Sequence, residues 1–449
     1  GTLAVDVTTA LNTAFAYGAN NSVAISLPAG KYKITDTLWA TPEGSVFKSC
    51  YIVGDGSGYA SGNRKTYIDA TAITSKPAIV IQKGRGCYIR GLQIEGGNAD
   101  IGAVTDDLLT YTYSGYVTGG FRDSRYSPYC AIAIDAGVGP TPPDGGYSGF
   151  TYQNSAGGSS DIVIDNVTIR RFVVGIMHNP ESSVATQGDT ISIINPNIIA
   201  TKVAIAVGQS QARCINVFGG NIGDCRTCYS DLDYGRQQGG GAAFFGTQMG
   251  GCFEMIAVQP SFGTTSLYRV RAEEVHRIGQ AGVGASTGAS AVVFIDTEVN
   301  LLNPVTGTGK RCPIVWESAS ASLRWTGGGL LGTSGGAGFD ALTIIAEPSI
   351  FENVQFRILN RFKPFIGCGA DFNTPLRLKS CRIIDATGSV NIGEESTRLA
   401  TSGRITEHWS AGTRKVGTAL YDFVIGGGNT YVNAATTSAF VFTDTTLTF

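Results

Sequence analysis

Ile164-Asp165-Asn166-Val167-Thr168-Ile169 is the stretch that decides the fold. Its frame is apolar, any, corner, any, any, apolar, with Asn166 at the corner. The frame recurs at 89–94 around Gly91, 193–198 around Asn195, 217–222 around Gly219 and 294–299 around Asp296. It returns at 325–330 around Gly327, 351–356 around Asn353 and 378–383 around Ser380. The corner is always Gly, Asn, Asp or Ser, residue types that tolerate a left-handed or turn conformation at low cost. The flanking apolar residues suit short strands. A short strand, a corner and a second short strand, repeated down the chain, describe the coils of a parallel β-helix. Solenoids of this kind offer long side grooves suited to polymers.

The spacing fits. Asn166 to Asn195 is 29 residues, Asn195 to Gly219 is 24, Gly327 to Asn353 is 26 and Asn353 to Ser380 is 27. Repeats of this length mark solenoids, whose coils bury their apolar faces only by stacking on neighbours. Gly54, in Tyr51-Ile52-Val53-Gly54-Asp55-Gly56, reads as the first corner. The step from Gly219 to Asp296 leaves room for further coils, and there 242–245 and 266–271 read as first strands of their coils.

Composition agrees: 61 Gly in 449 residues, 15% charged and 43% hydrophobic, as a turn-rich β protein requires. Glycine is not every third residue and no apolar run reaches 18 residues, which argues against collagen and a membrane span. The net charge is −2 with no basic cluster, so nucleic acid is not an expected partner. No basic segment precedes an apolar one at the start, so no signal peptide is visible, and the first residue, Gly1, suggests a trimmed or partial chain.

The ten cysteines are scattered through a large chain, so buried reduced thiols are expected. Cys225 and Cys228, with Cys214 and Cys252, admit a zinc reading. With no second CxxC and only His178, His276 and His408 as imidazoles, neither metal nor cofactor is expected. Cys87 and Cys214, each opening a coil's second strand, are expected to stack inside.

Val7, Ala10, Leu11, Ala14 and Phe15 form one apolar stripe, predicting a helix over 7–17, capped by Asp6 and stopped by Gly18 with Asn20 and Asn21. It would cover the open end of the solenoid. The expected organisation is a cap with entry strands over 1–47, a parallel β-helix over 48–395 with a large insertion at 98–160, and a β-rich terminal cap over 396–449.

The helix from Asp6 to Phe15, the run Ser26-Leu27-Pro28-Ala29-Gly30-Lys31-Tyr32-Lys33-Ile34, the Ile52-Val53-Gly54-Asp55-Gly56 turn and the segment 125–135 resemble the pectate-lyase-like superfamily of bacteriophage tailspikes. The resemblance covers the first half of the chain. It implies an all-β, right-handed parallel β-helix, usually a homotrimer, that binds and often cleaves a bacterial surface polysaccharide. It also implies a place in the virion tail beside other tail proteins, assembly in the host cytoplasm and action at the host surface. The superfamily shares no single catalytic motif, so no site residue follows from it.

Site residues must therefore come from the chain itself. Strands one or two coils apart could bring together the carboxylate pair of a glycosidase. Asp231 and Asp233 adjoin a Gly-rich loop and would share a face if extended; a solvated turn is the plainer reading. Arg269, Arg271, Glu273, Glu274 and His276 gather acid, base and cation, suited to hydrolysis or proton abstraction, or to a surface ion-pair ladder. Glu317 and Asp135 follow first strands on an outward flank. Tyr126 and Tyr129 belong to a tyrosine cluster that could hold sugar faces or pack the insertion. The expected catalytic residues are Asp231, Asp233, Glu273, Glu274 and Glu317; the expected binding residues are Asp135, Tyr126, Tyr129, Arg271 and His276. The rival functions are a non-catalytic virion β-helix that binds or stiffens, and a polysaccharide lyase.

Overall fold

The computed structural model describes residues 5–42, 47–57, 65–97, 129–135, 158–178, 188–207, 212–231, 241–258, 263–281, 290–301, 314–316, 321–332, 342–344, 349–358, 366–367, 375–385, 388–398, 416–417, 422–424 and 431–433. The protein is an all-β parallel β-solenoid with one short N-terminal helix. Its described residues divide into two compact units, one running to Cys252 and one from Phe253. Among them, no helix is long and apolar enough to cross a membrane.

All eight expected corners have positive φ, from 46° at Asn195 to 71° at Gly327. In the first unit the corner amides bind forward: Asn166 N–H donates to Ile194 O, Asn195 N–H to Phe218 O and Gly219 N–H to Phe245 O, each at 2.8 Å. Gly219 is favoured by its φ; a Cβ there would lie 2.7 Å from Asn195 Oδ1 of the preceding corner, a side-chain end that can swing aside. Two further corners are Gly246 (φ 61°) and Arg269 (φ 52°). They correct the reading of 242–245 and 266–271 as first strands. Ala242–Phe245 pairs with Ala212–Phe218, and Gly263–Tyr268 with Ser290–Leu301, so both precede a corner. Gly54 is also corrected: its φ is not positive, and a Cβ would meet Thr66 Cβ at 2.8 Å.

Left-handed residues also stand five places on either side of a corner. Asp161, Thr190 and Cys214 (φ 56°, 59° and 57°) precede one; Arg171, Ala200 and Asp224 (φ 59°, 53° and 48°) follow one. Each non-glycine there costs roughly 1–2 kcal/mol, held in place by the hydrogen-bonded strands around it.

Between corners, alternation puts every second side chain inside, and parallel register stacks like on like. One interior column of the first unit runs Ile52, Ile89, Ile164, Ile193, Val217, Phe244. A second runs Ile68, Ile94, Ile169, Ile198, Ile222, and a third Ile79, Ile132, Ile176, Ile205, Tyr229. All are buried. The second unit uses larger rings: Phe294 stacks on Trp325 at 4.8 Å, and Trp325 lies 6.1 Å from Phe351. The parallel pattern changes at Pro375–Asp385, which pairs antiparallel with Gly388–Arg398. Asp422–Val424 and Tyr431–Asn433 form a separate antiparallel pair.

The helix is Thr8–Asn21. Asp6 accepts the Thr8 N–H at 3.0 Å, but the helix runs past Gly18 and ends where Ser22 turns left-handed. Gly18 is there for contact, since a Cβ would sit 2.7 Å from Ile25 Cγ1. Cys50, Cys87, Cys130, Cys225, Cys228, Cys252 and Cys381 are free and buried; Cys225 and Cys228 sulfurs lie 3.6 Å apart. Cys214 departs from expectation. It is exposed in its left-handed slot, and Ile215 takes the interior position, paired with Ile191. Among the described residues no group of three or more His, Cys, Asp or Glu is arranged to hold a metal.

Thr190 is exposed and β-branched at φ 59°, whereas Asn195 suits its corner. Thr190→Asn is expected to stabilise the chain by about 0.5–1 kcal/mol and Asn195→Val to cost about 1–2 kcal/mol. Shifts of the urea unfolding midpoint in opposite directions would show it.

Candidate functional site

After the corner Gly91, strand Leu92–Glu95 points Leu92 and Ile94 inward and Gln93 and Glu95 outward. Parallel register extends both outward columns. Lys31, Tyr67, Gln93 and Thr168 align in one; Lys33, Asp69, Glu95 and Arg170 align in the other. This flank of the first unit carries a polar network that spans several coils.

Its bonds run within a strand and from coil to coil. Lys31 Nζ lies 2.9 Å from Asp69 Oδ2, and Lys65 Nζ donates to Gln93 Oε1 at 2.7 Å. Gln93 Nε2 donates to Glu95 Oε2 at 3.2 Å; Glu95 also faces Arg171 Nε at 3.4 Å and Arg170 Nη1 at 4.0 Å. The Lys31 and Lys65 ammonium groups lie 5.4 and 5.6 Å from the centre of the Tyr67 ring, a cation–π arrangement. Burial pushes the Asp69 carboxyl up, but hydrogen bonds from Thr71 and Lys31 outweigh it and hold it below the ordinary range. Burial, then the charges of Glu95 and Asp69, raise the Tyr67 phenol to about 12, so near neutral pH it is a hydrogen-bond donor. Asp69 and Glu95 stand one coil apart, a strand spacing of about 4.8 Å. Asp69 stays ionised and Glu95 is shared between two guanidiniums. The arrangement suits holding hydroxyls and charged groups better than donating a proton in hydrolysis.

Two of the expected binding residues anchor chain segments. Tyr129 is buried; its hydroxyl accepts from the Gly97 N–H and lies 3.5 Å from Arg171 O, tying together the ends of the segment 98–128 beside the Glu95 network. Asp135 was expected on an outward flank but is only 2% exposed, at φ 47°. Its oxygens accept from the Ser159 N–H, from Ser159 Oγ at 2.5 Å and from the Lys83 N–H at 3.1 Å, closing the segment 136–157.

Asp231 is a buried residue hydrogen-bonded to the Tyr229 phenol. In the second unit Arg271 Nη2 pairs with Glu273 Oε1 at 3.0 Å and stands in register with Glu298. Glu274 is exposed in a left-handed slot (φ 56°). His276 lies on Arg271–Ala281, with its side chain outside the described residues, as are Asp233, Glu317 and Tyr126 altogether. Of the expected residues the structure therefore joins Arg271 to Glu273, while Tyr129, Asp135 and Asp231 have separate partners. His178 is no acid–base group: burial lowers it to about 3.

Sequence reasoning passed over Lys31, Lys65, Tyr67, Asp69, Gln93, Glu95, Arg170 and Arg171. Half the signal was in the frame, whose second and fourth positions after a corner point outward: Gln93 and Glu95, then Thr168 and Arg170. Tyr67 and Asp69 had no such signal, because no corner residue with the frame precedes them.

Neither a protein-family model nor a curated protein sequence matches the chain. Among solved structures it is similar to the Agl-KA catalytic domain, with 10% identity and a TM-score of 0.50 over 84% of this chain and 55% of that one. It is also similar to a Yersinia enterocolitica family 28 exopolygalacturonase (14% identity, TM-score 0.42, 85% of this chain and 75% of that one). A third is the enzymatically active domain of bacteriophage CBA120 tailspike protein 2 (10%, 0.43, 89% and 58%). The chain spans little more than half the length of the first and third. At such identities the likeness is one of fold.

Burial is the largest influence on Asp135 and raises it to about 6 against its hydrogen bonds. A carboxyl with a raised folded-state value favours folding while protonated and loses that contribution as pH rises towards and through 6. Stability is therefore expected to fall by up to about 3 kcal/mol between pH 4 and 7 relative to Asp135→Asn, whose amide does not titrate. Urea unfolding of both proteins across that range measures it.

Proposed function

We propose that this chain binds a polysaccharide on the flank around Tyr67, Gln93 and Glu95. One observation carries the reading: parallel register lines up a half-buried aromatic ring, an amide, two carboxylates and two guanidiniums on successive coils. A sugar ring presents an apolar face and a rim of hydroxyls that both donate and accept. Tyr67 offers the platform, Asp69 and Glu95 accept, and the arginines and lysines donate. A solenoid repeats such positions from coil to coil, which suits a chain of sugars better than a single small molecule.

The fuller reading is a tailspike-like protein of a phage virion. It forms a homotrimer, meets a glycan at the bacterial surface beside other tail proteins, and hydrolyses it with carboxylates drawn from Asp231, Asp233, Glu273, Glu274 and Glu317. Supporting hydrolysis is the exposed gathering of Glu273, Glu274, Arg271 and Glu298; a lyase and a purely binding spike are the competing outcomes. Light scattering on the purified chain reports the assembly state.

The test is a panel of capsular and O-antigen polysaccharides, scored for binding, reducing ends and unsaturated products. Binding is expected, with Tyr67→Ala weakening it by about tenfold. New reducing ends without unsaturation mark hydrolysis, and amide variants at the true catalytic pair then lose orders of magnitude in turnover with binding kept. Unsaturated product marks a lyase, and binding alone a spike that only attaches. Absence of any bound glycan rejects the proposal.

A further inference from the structure

The same flank has a pronounced inequality between its acids and its bases. Asp69 and Glu95 lie under the surface, with side chains 9% and 7% exposed. The cations paired with them do not: Lys31 is 57% exposed, Arg171 49% and Arg170 29%. Lys65 adds a fourth cation, half-buried between Gln93 and the Tyr67 ring. Among the described residues of this flank, these four cations over two carboxylates leave a positive excess, and solvent meets the cations first. The whole chain carries −2, so the excess is local.

Arg171 occupies a left-handed slot that Ala200 and Asp224 fill in later coils, so the slot itself does not call for a long cation. Its charge answers Glu95, which Arg170 also faces, so one carboxylate meets two guanidiniums. Lys31 and Lys65 flank one ring, so a sugar laid on Tyr67 would bring any charged substituent at its rim within reach of either ammonium.

We propose that the polysaccharide held here is anionic, bearing carboxylate or phosphate groups that pair with Lys31, Lys65, Arg170 and Arg171. The inference rests on the polysaccharide reading above and adds the charge class of the ligand. Buried Asp69 and Glu95 fix the directions of Lys31 and Arg171, and the net positive charge remains for the ligand. Duplex DNA, whose bases are stacked inside, has no free face to lay on Tyr67, whereas a pyranose does.

The experiment uses the full chain and purified capsular polysaccharides, half of them bearing uronic acid or phosphate and half neutral, with duplex DNA of similar charge density alongside. Affinity is measured in about 0.05 M and about 0.5 M salt, where screening lengths differ several-fold. The expected result is that the bound glycans are acidic, that salt weakens them, and that Lys65→Gln combined with Arg171→Gln weakens them by roughly tenfold. Lys76→Gln, a cation paired with Asp36 away from the flank, should leave affinity unchanged. Tight, salt-insensitive binding of a neutral glycan overturns the charge inference while the polysaccharide reading stands. Acidic-glycan binding that the double variant does not change overturns the placement. Duplex DNA bound more tightly than every glycan, or no glycan bound at all, overturns both.

Discussion

Parallel strands stacked coil on coil work only if every coil turns at the same place. A turn one residue early would send the interior column out to solvent and the outward column into the core. The left-handed corner enforces that coincidence. At Asn166, Asn195 and Gly219 the corner amide donates to a carbonyl of the next coil, so each turn fixes the following one. The isoleucine columns, the aromatic stack from Phe294 to Phe351 and the polar columns outside are downstream of this one constraint. Side chains can reinforce it but cannot supply it.

The corners also explain how much the sequence reveals. Gly, Asn, Asp and Ser advertise a positive φ, and all eight residues so chosen adopt it. Arg269 does not advertise it; it is an arginine whose left-handed backbone is set by its neighbours, and only the Leu267 and Ala272 positions hinted at its slot. Missing it and Gly246 displaced two strands within the coil. Gly18 and Gly54 misled in the opposite sense: both are glycines for close contact, and contact between distant segments leaves no local mark.

The site was less legible than the fold for the same reason. Outward side chains that meet on a solenoid come from different coils, brought together by register. Glu95 and Arg170 are far apart in sequence, and their meeting depends on the length of everything between them. Tyr129 and Asp135 stood out as an aromatic and an acid beside an insertion. They border the strand Cys130–Ile134, which divides 98–160 in two, and both are turned towards the backbone. Charge density drew attention to Arg271 and Glu273, whose pairing is exposed; the flank around Glu95 holds its acids deeper and so commits its cations more firmly.

Tyr129 and Asp135 have one more consequence. Each is bonded to the solenoid itself, Tyr129 to Gly97 and Arg171 and Asp135 to Ser159 and Lys83. Between them lies the buried strand Cys130–Ile134, so the chain enters and leaves this strand at two pinned points. The strand's place is thus underwritten from both ends by single side chains, and losing either would unfasten a piece of the wall rather than a loop.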